Sequence, residues 1–154
     1  MHTQTHTETI PKPELASVQF YLTIASAVTL VFGLLIAAAA WPPAAVLIEP
    51  LTRLILWQET VDFGTREARL LAAISGGVLA GWGLMMLLLA RALAEAPLLI
   101  GRCILAGIGF WFTVDSLASL AATAPLNVIG NILFLAAFGL PAARLAGYAA
   151  PTER

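Results

Sequence analysis

The sequence predicts an all-α fold, an integral membrane four-helix bundle. Of its 154 residues, 60% are hydrophobic and 11% are charged, whereas a soluble domain has about 45–50% and about 25%. Four apolar segments each approach the roughly 20 residues that a helix needs to cross a bilayer. The net charge of −1, without a Lys/Arg block, argues against a nucleic-acid partner and leaves the lipid bilayer as the expected environment.

The chain begins with a polar stretch, residues 1–16, which is rich in Thr and interrupted by two prolines. This composition predicts a disordered tail. The first predicted span covers residues 17–41. Its Ala38-Ala39-Ala40 end also resembles a signal-peptide cleavage site, but the apolar stretch exceeds the usual length of about 7–15 residues, which favours an uncleaved span.

Between the first two spans, residues 44–62 are amphipathic. Leu47, Leu51, Leu54 and Ile55 fall on one helical face, which predicts a helix lying in the membrane interface and capping the bundle. An ordinary loop helix packed on the end of the bundle is the alternative.

The remaining spans are predicted at residues 69–90, 98–122 and 125–148, and residues 149–154 form a short tail. Pro141 is expected to kink the last span. With four spans, both termini share one side with the second connection, and five Lys/Arg residues lie there against three on the other side. This excess favours cytoplasmic termini in a cytoplasmic (inner) membrane.

Asp115 is the most informative residue, because it lies inside the third apolar span. A carboxylate in hydrocarbon costs about 2.5–3.5 kcal/mol even on insertion scales, so it needs a partner, water or a bound proton. We expect it to meet Arg69 or the amides of Asn127 and Asn131.

The topology predicts a polar cluster around this carboxylate. Counted from the same end of the bundle, Ser75 and Asn131 lie at a depth similar to that of Asp115, in the predicted outer leaflet, and Ser119 follows Asp115 by four residues on one helix face. The cluster is interpreted either as a structural latch without a ligand, as a ligand-binding or proton-handling site, or as a contact for a lipid headgroup.

Small residues crowd the second span. Gly77 and Gly81 form a GxxxG pattern, which lets helix backbones approach closely. We expect packing within the bundle, with self-association or a membrane-protein partner as the alternative.

No metal site and no cofactor are predicted. The spans contain no His, and His2 and His6 on a tail are too few for a structural site, which usually has about four fixed ligands.

Residues 69–83, with an arginine leading into Gly76-Gly77 and the later pair Gly81 and Gly83, resemble the glycine-rich second helix of small four-helix DoxX-like bacterial membrane proteins. The resemblance implies a four-helix bundle in the bacterial inner membrane, and some members are linked to redox or sulfur-compound partners. Residues 44–62, Asp115 and the two asparagines are not features of that family, so no catalytic residue carries over.

Three functions follow from these patterns. The first is a non-enzymatic accessory or partner-binding subunit. The second is a small transporter or lipophilic-ligand binder that uses the polar cluster around Asp115. The third, a membrane-embedded oxidoreductase subunit, rests on the resemblance alone.

Overall fold

The computed structural model describes residues 10–57, 59 and 61–146. This part of the chain is all-α: α1 (Lys12–Ala38), α2 (Glu49–Ile55), α3 (Arg66–Arg91), α4 (Pro97–Ala121) and α5 (Pro125–Ala146), with a 3-10 helix at Pro42–Leu47. Helices α1, α3, α4 and α5 are long and apolar enough to span a membrane, so the predicted four-helix membrane bundle is confirmed. Three predicted parts lie outside the described residues. They are residues 1–9 of the first predicted tail, the second predicted tail at residues 149–154, and the last two residues of the fourth predicted span.

The two first spans begin earlier than predicted. Helix α1 begins at Lys12, inside the stretch that the sequence assigns to the tail, and Pro13 falls in its first turn, where a missing N–H is no loss. Helix α3 begins at Arg66, and the Thr65 hydroxyl accepts the Ala68 N–H at 3.3 Å. A side-chain cap of this kind supports a helix N-terminus.

The amphipathic stretch at residues 44–62 forms two short helices and not one. Pro50 lies in the first turn of α2; a continuous helix would place its ring against the carbonyl of Val46. Helix α2 ends at Ile55, and Trp57 takes a positive φ of 53°. The short helix α2 lies at one end of the bundle, called the α2 end below, where α3 and α5 begin and α1 and α4 finish.

The spanning helices form two close pairs, α1 with α3 and α4 with α5. In the first pair, a Cβ added at Gly76 would lie 2.6 Å from the Ala37 Cα, and one at Gly33 would lie 2.8 Å from the Ala80 Cα. Only glycine fits at these two positions, because the backbones touch there.

The prediction that Gly77 and Gly81 pack within the bundle is wrong. Both are exposed, and a Cβ added at either would meet nothing within 4 Å. The pattern that packs α3 on α1 is Gly76, Ala80 and Gly83.

A tight turn joins α4 to α5. Thr123 takes a φ of 58°, and the Ala124 N–H donates to the Ser119 carbonyl at 2.9 Å, as in a Schellman ending. The turn makes α4 and α5 antiparallel neighbours. Side chains near the end of α4 therefore lie beside those at the start of α5.

The apolar core is split between the two ends of the bundle. Its larger part lies away from α2 and includes Leu22, Leu93, Ile108 and Phe138, all at most 1% exposed. A small cluster that includes Ala39 lies at the α2 end. The helix pairs enclose a cavity between these two regions.

Candidate functional site

The polar cluster is built on one oxygen of Asp115. Ser119 Oγ and Asn127 Nδ2 each donate to Asp115 Oδ1 at 3.1 Å, and Asn131 Nδ2 donates to the same oxygen at 3.2 Å. Asp115 and Ser119 lie one turn apart near the end of α4, and the two asparagines lie one turn apart at the start of α5. The structure therefore brings together four of the six residues that the sequence predicted.

The Nδ2 atom of each asparagine donates to a second oxygen inside the same cluster. Asn127 Nδ2 donates to Ser119 Oγ at 2.8 Å, and Asn131 Nδ2 donates to Ser116 Oγ at 3.2 Å. Sequence reasoning missed Ser116. The signal was available, since a buried amide with two N–H groups needs two acceptors, and only one had been assigned to Asn131.

The other two predicted residues do not join the cluster. Ser75 lies on α3, and its hydroxyl donates to the Leu71 carbonyl of its own helix at 2.6 Å. Among the described residues, no hydrogen bond or ion pair connects Arg69 with Asp115; the ion pair seen there joins Arg53 to Glu49 on α2 at 2.7 Å.

A cavity of about 860 Å³ adjoins the cluster. All five helices contribute to its wall, and α2 closes the α2 end with Leu51, Thr52 and Ile55. The polar lining residues are Thr52, Ser75, Asp115, Asn127 and Asn131. The apolar and glycine lining residues are Phe32, Ile36, Ile48, Leu51, Ile55, Val78, Leu79, Trp82, Gly107, Trp111, Gly130, Leu133 and Phe134.

Aromatic rings form one side of this cavity. The Trp82 ring on α3 lies 5.5 Å, centroid to centroid, from the Trp111 ring on α4, and Phe134 on α5 lies 5.8 Å from Trp111. The contact between Trp82 and Trp111 links the two helix pairs where the main core gives way to the cavity, and the contact between Trp111 and Phe134 lies within the α4–α5 pair. This wall is not predictable from the sequence, because helices that are apolar on most faces do not show which side chains meet.

The cavity combines a wide apolar wall with a few polar groups at one side. Small-molecule sites have this composition and typical volumes of about 300–1,000 Å³. Over the described part of the chain, no three His, Cys, Asp or Glu side chains come together as a potential metal site; His2 and His6 lie outside it.

The fold and the cavity define a class: a small multi-pass α-helical membrane protein with a partly open, mainly apolar cavity that includes a few polar residues. No protein-family model, no curated protein and no solved structure matches the chain.

Proposed function

We propose that this protein binds a lipophilic molecule in the cavity beside Asp115, with the polar part of that molecule at the Asp115 cluster. The observation that carries the proposal is the cavity of about 860 Å³ whose lining is aromatic and aliphatic except for five polar residues. The sequence offered this function as its second hypothesis.

The cavity favours binding over a purely structural latch. A latch needs the hydrogen bonds that join α4 to α5, but it needs no space next to them. Protein interiors are close-packed, and a partly open volume of this size between the helix pairs, beside a polar cluster, supports a ligand. Transport would require the ligand to leave towards both sides of the membrane; binding alone does not.

The partner-binding function stays a second proposal. Its support is the outward face of α3, where Gly77 and Gly81 are exposed and have open space beside them. A partner, or a second copy of the chain, that co-purifies in mild detergent with the wild type but is lost with Gly81→Leu would favour this function.

Tryptophan fluorescence tests the binding proposal, because Trp82 and Trp111 line the cavity. Trp41 and Trp57, which are exposed outside it, are first replaced by Phe. The purified protein is then titrated with 11-bromoundecanol and with 11-bromoundecylamine, whose bromine quenches a nearby indole. We expect saturable quenching by at least one of these probes.

A matched pair of variants shows whether the quenching comes from the cavity. Gly107 lines the cavity, Gly109 on the same helix does not, and a Cβ has open space at both positions. Gly107→Leu should abolish the saturable quenching because the new side chain enters the cavity, whereas Gly109→Leu should retain it. Equal quenching in both variants, or none in the wild type with either probe, would refute the proposal.

We further propose that the protein lies in a bacterial inner membrane with cytoplasmic termini, which would place the cluster in the outer leaflet. The support is the Lys/Arg excess on the side of the termini, the four spans and the resemblance of residues 69–83 to DoxX-like proteins. A reporter fused to the C-terminus should read out as cytoplasmic; an extracytoplasmic signal would reverse the orientation.

A further inference from the structure

We infer that the ligand of this cavity is a lipophilic amine, bound as its ammonium ion at Asp115. This inference rests on the proposed binding function and adds the chemical class of the ligand. It follows from the hydrogen-bonding capacity that the lining side chains have left.

The hydroxyl and amide donors that line the cavity are already used inside the protein. The Nδ2 atoms of Asn127 and of Asn131 each donate to two oxygens within the cluster. Thr52 donates its hydroxyl hydrogen to the Glu49 carbonyl at 3.0 Å, and Ser75 donates to Leu71. Each of these four side chains also has oxygen lone pairs that a ligand can use.

The second carboxylate oxygen of Asp115 is also available. Oδ1 accepts three hydrogen bonds, whereas Oδ2 accepts none from the described residues. No buried side-chain nitrogen or oxygen in that part of the chain lacks a partner, so Oδ2 is accessible, and Asp115 lines the cavity. The amide oxygens of Asn127 and Asn131 likewise accept no hydrogen bond from the described residues, and both residues line the cavity.

Charge points to the same class of ligand. Among the described residues that line the cavity, Asp115 is the ionisable one, and no Lys or Arg of that part of the chain forms an ion pair with it. A carboxylate within a membrane span is costly unless a cation or hydrogen bonds compensate for it. A bound ammonium would pair with this carboxylate and donate to its Oδ2.

The aromatic wall supports an ammonium as well. The rings of Trp82, Trp111 and Phe134 line the cavity that Asp115 lines, and aromatic faces attract cations, Trp most strongly. The two indole N–H groups are the donors left in the lining, and they would suit an alcohol or a carbonyl. A ligand that bound through these indoles alone would not depend on Asp115, which makes the two cases separable.

The test compares three probes that share one tail and differ in their head group: 11-bromoundecylamine, 11-bromoundecanol and 11-bromoundecanoate. The protein is the variant whose remaining tryptophans are Trp82 and Trp111. Binding is counted as specific when the saturable quenching of tryptophan fluorescence is lost with Gly107→Leu and kept with Gly109→Leu. Each probe is measured with the wild-type aspartate and with Asp115→Asn, so that its partition into detergent cancels. The asparagine keeps an oxygen for the Asn127 and Asn131 donors.

At pH 7 the amine is protonated, as Lys is. We expect the amine probe to bind most tightly and the carboxylate probe most weakly. Asp115→Asn should lower the affinity for the amine by about tenfold or more, because a charge-assisted hydrogen bond is lost. The same substitution should change the affinity for the alcohol by less than about threefold. Should the asparagine variant fail to fold by circular dichroism, the order of the three probes on the wild type decides.

The failures are distinguishable. Specific quenching that is equal for the three head groups, or that is unchanged by Asp115→Asn, would refute the inference that the ligand is an amine but would leave the binding function supported. The absence of specific quenching with every probe would refute both the binding function and the inference about the amine.

Discussion

The two carboxylate oxygens of Asp115 differ in their hydrogen bonding. The donors of the cluster converge on Oδ1, and Oδ2 remains for another molecule. One carboxylate therefore serves both as the centre of a contact between α4 and α5 and as part of a cavity wall. Two of the three interpretations that the sequence leaves open, a latch and a ligand-binding site, are compatible at this residue.

Part of this cluster was predictable from the sequence. Spacing places Asp115 and Ser119 on one face of their helix and the two asparagines on one face of theirs. Depth in the span places Asp115 level with Asn131, and Ser119 and Asn127 one turn nearer the α2 end. Depth does not give the rotation of one helix relative to another. It therefore leaves Arg69 as an alternative to the asparagines and puts Ser75 in the cluster, whereas the described hydrogen bonds of Asp115 come from α4 and α5.

Replacing Asp115 should weaken the contact between α4 and α5. Asp115→Ala removes the acceptor shared by Asn127 and Asn131, and interhelical hydrogen bonds in membrane proteins average about 0.6 kcal/mol. We expect a loss of about 1 kcal/mol, read as a lower thermal midpoint in detergent. Ser75→Ala is the control, because the hydroxyl of Ser75 bonds to its own helix; a midpoint that falls equally in both variants would contradict the assignment.

At the scale of the elements, the contact between α1 and α3 depends on which glycine faces the partner helix. Gly76 and Gly77 are adjacent in sequence, yet Gly76 touches the backbone of α1 and Gly77 faces outward. Neighbouring residues point about 100° apart on a helix that turns once every 3.6 residues. The GxxxG spacing predicts that some face of α3 packs closely, but in a helix that is apolar all round it does not identify the face.

The two neighbouring glycines give a direct comparison. Gly76→Ala places a methyl group against the backbone of Ala37, and overpacking of this kind costs about 1–3 kcal/mol. Gly77→Ala adds a methyl group in open space. We expect the thermal midpoint to drop only for Gly76→Ala; an unchanged midpoint for that variant would mean that α1 and α3 are not packed as described.

Helix α2 contributes to the cavity more than its sequence pattern suggested. The amphipathic periodicity predicted a helix on the membrane interface, and Pro50 limits that helix to seven residues. Its Leu51, Thr52 and Ile55 face the bundle and close one end of the cavity. The apolar face that indicates a membrane surface in the sequence is, in part, the face that covers the cavity.

At the scale of the whole molecule, the cavity results from how the helices pair. Close backbone contact holds α1 on α3, and a short turn holds α4 beside α5, while large side chains fill the space between the pairs at the end opposite α2. Among the residues that line the cavity, Gly107 and Gly130 have no side chain and fill little volume. The number of spans is readable from hydropathy, but a cavity between helices depends on which residues face each other across the bundle.

The central claim is that the cavity holds a lipophilic molecule, and native mass spectrometry in the presence of 11-bromoundecylamine tests it most directly. The bromine isotope pattern marks the bound probe. We expect one probe per chain on the wild type and on Gly109→Leu, and none on Gly130→Leu, whose new side chain would occupy the cavity. The same occupancy on all three proteins, or no occupancy of the wild type by either this probe or 11-bromoundecanol, would contradict the claim.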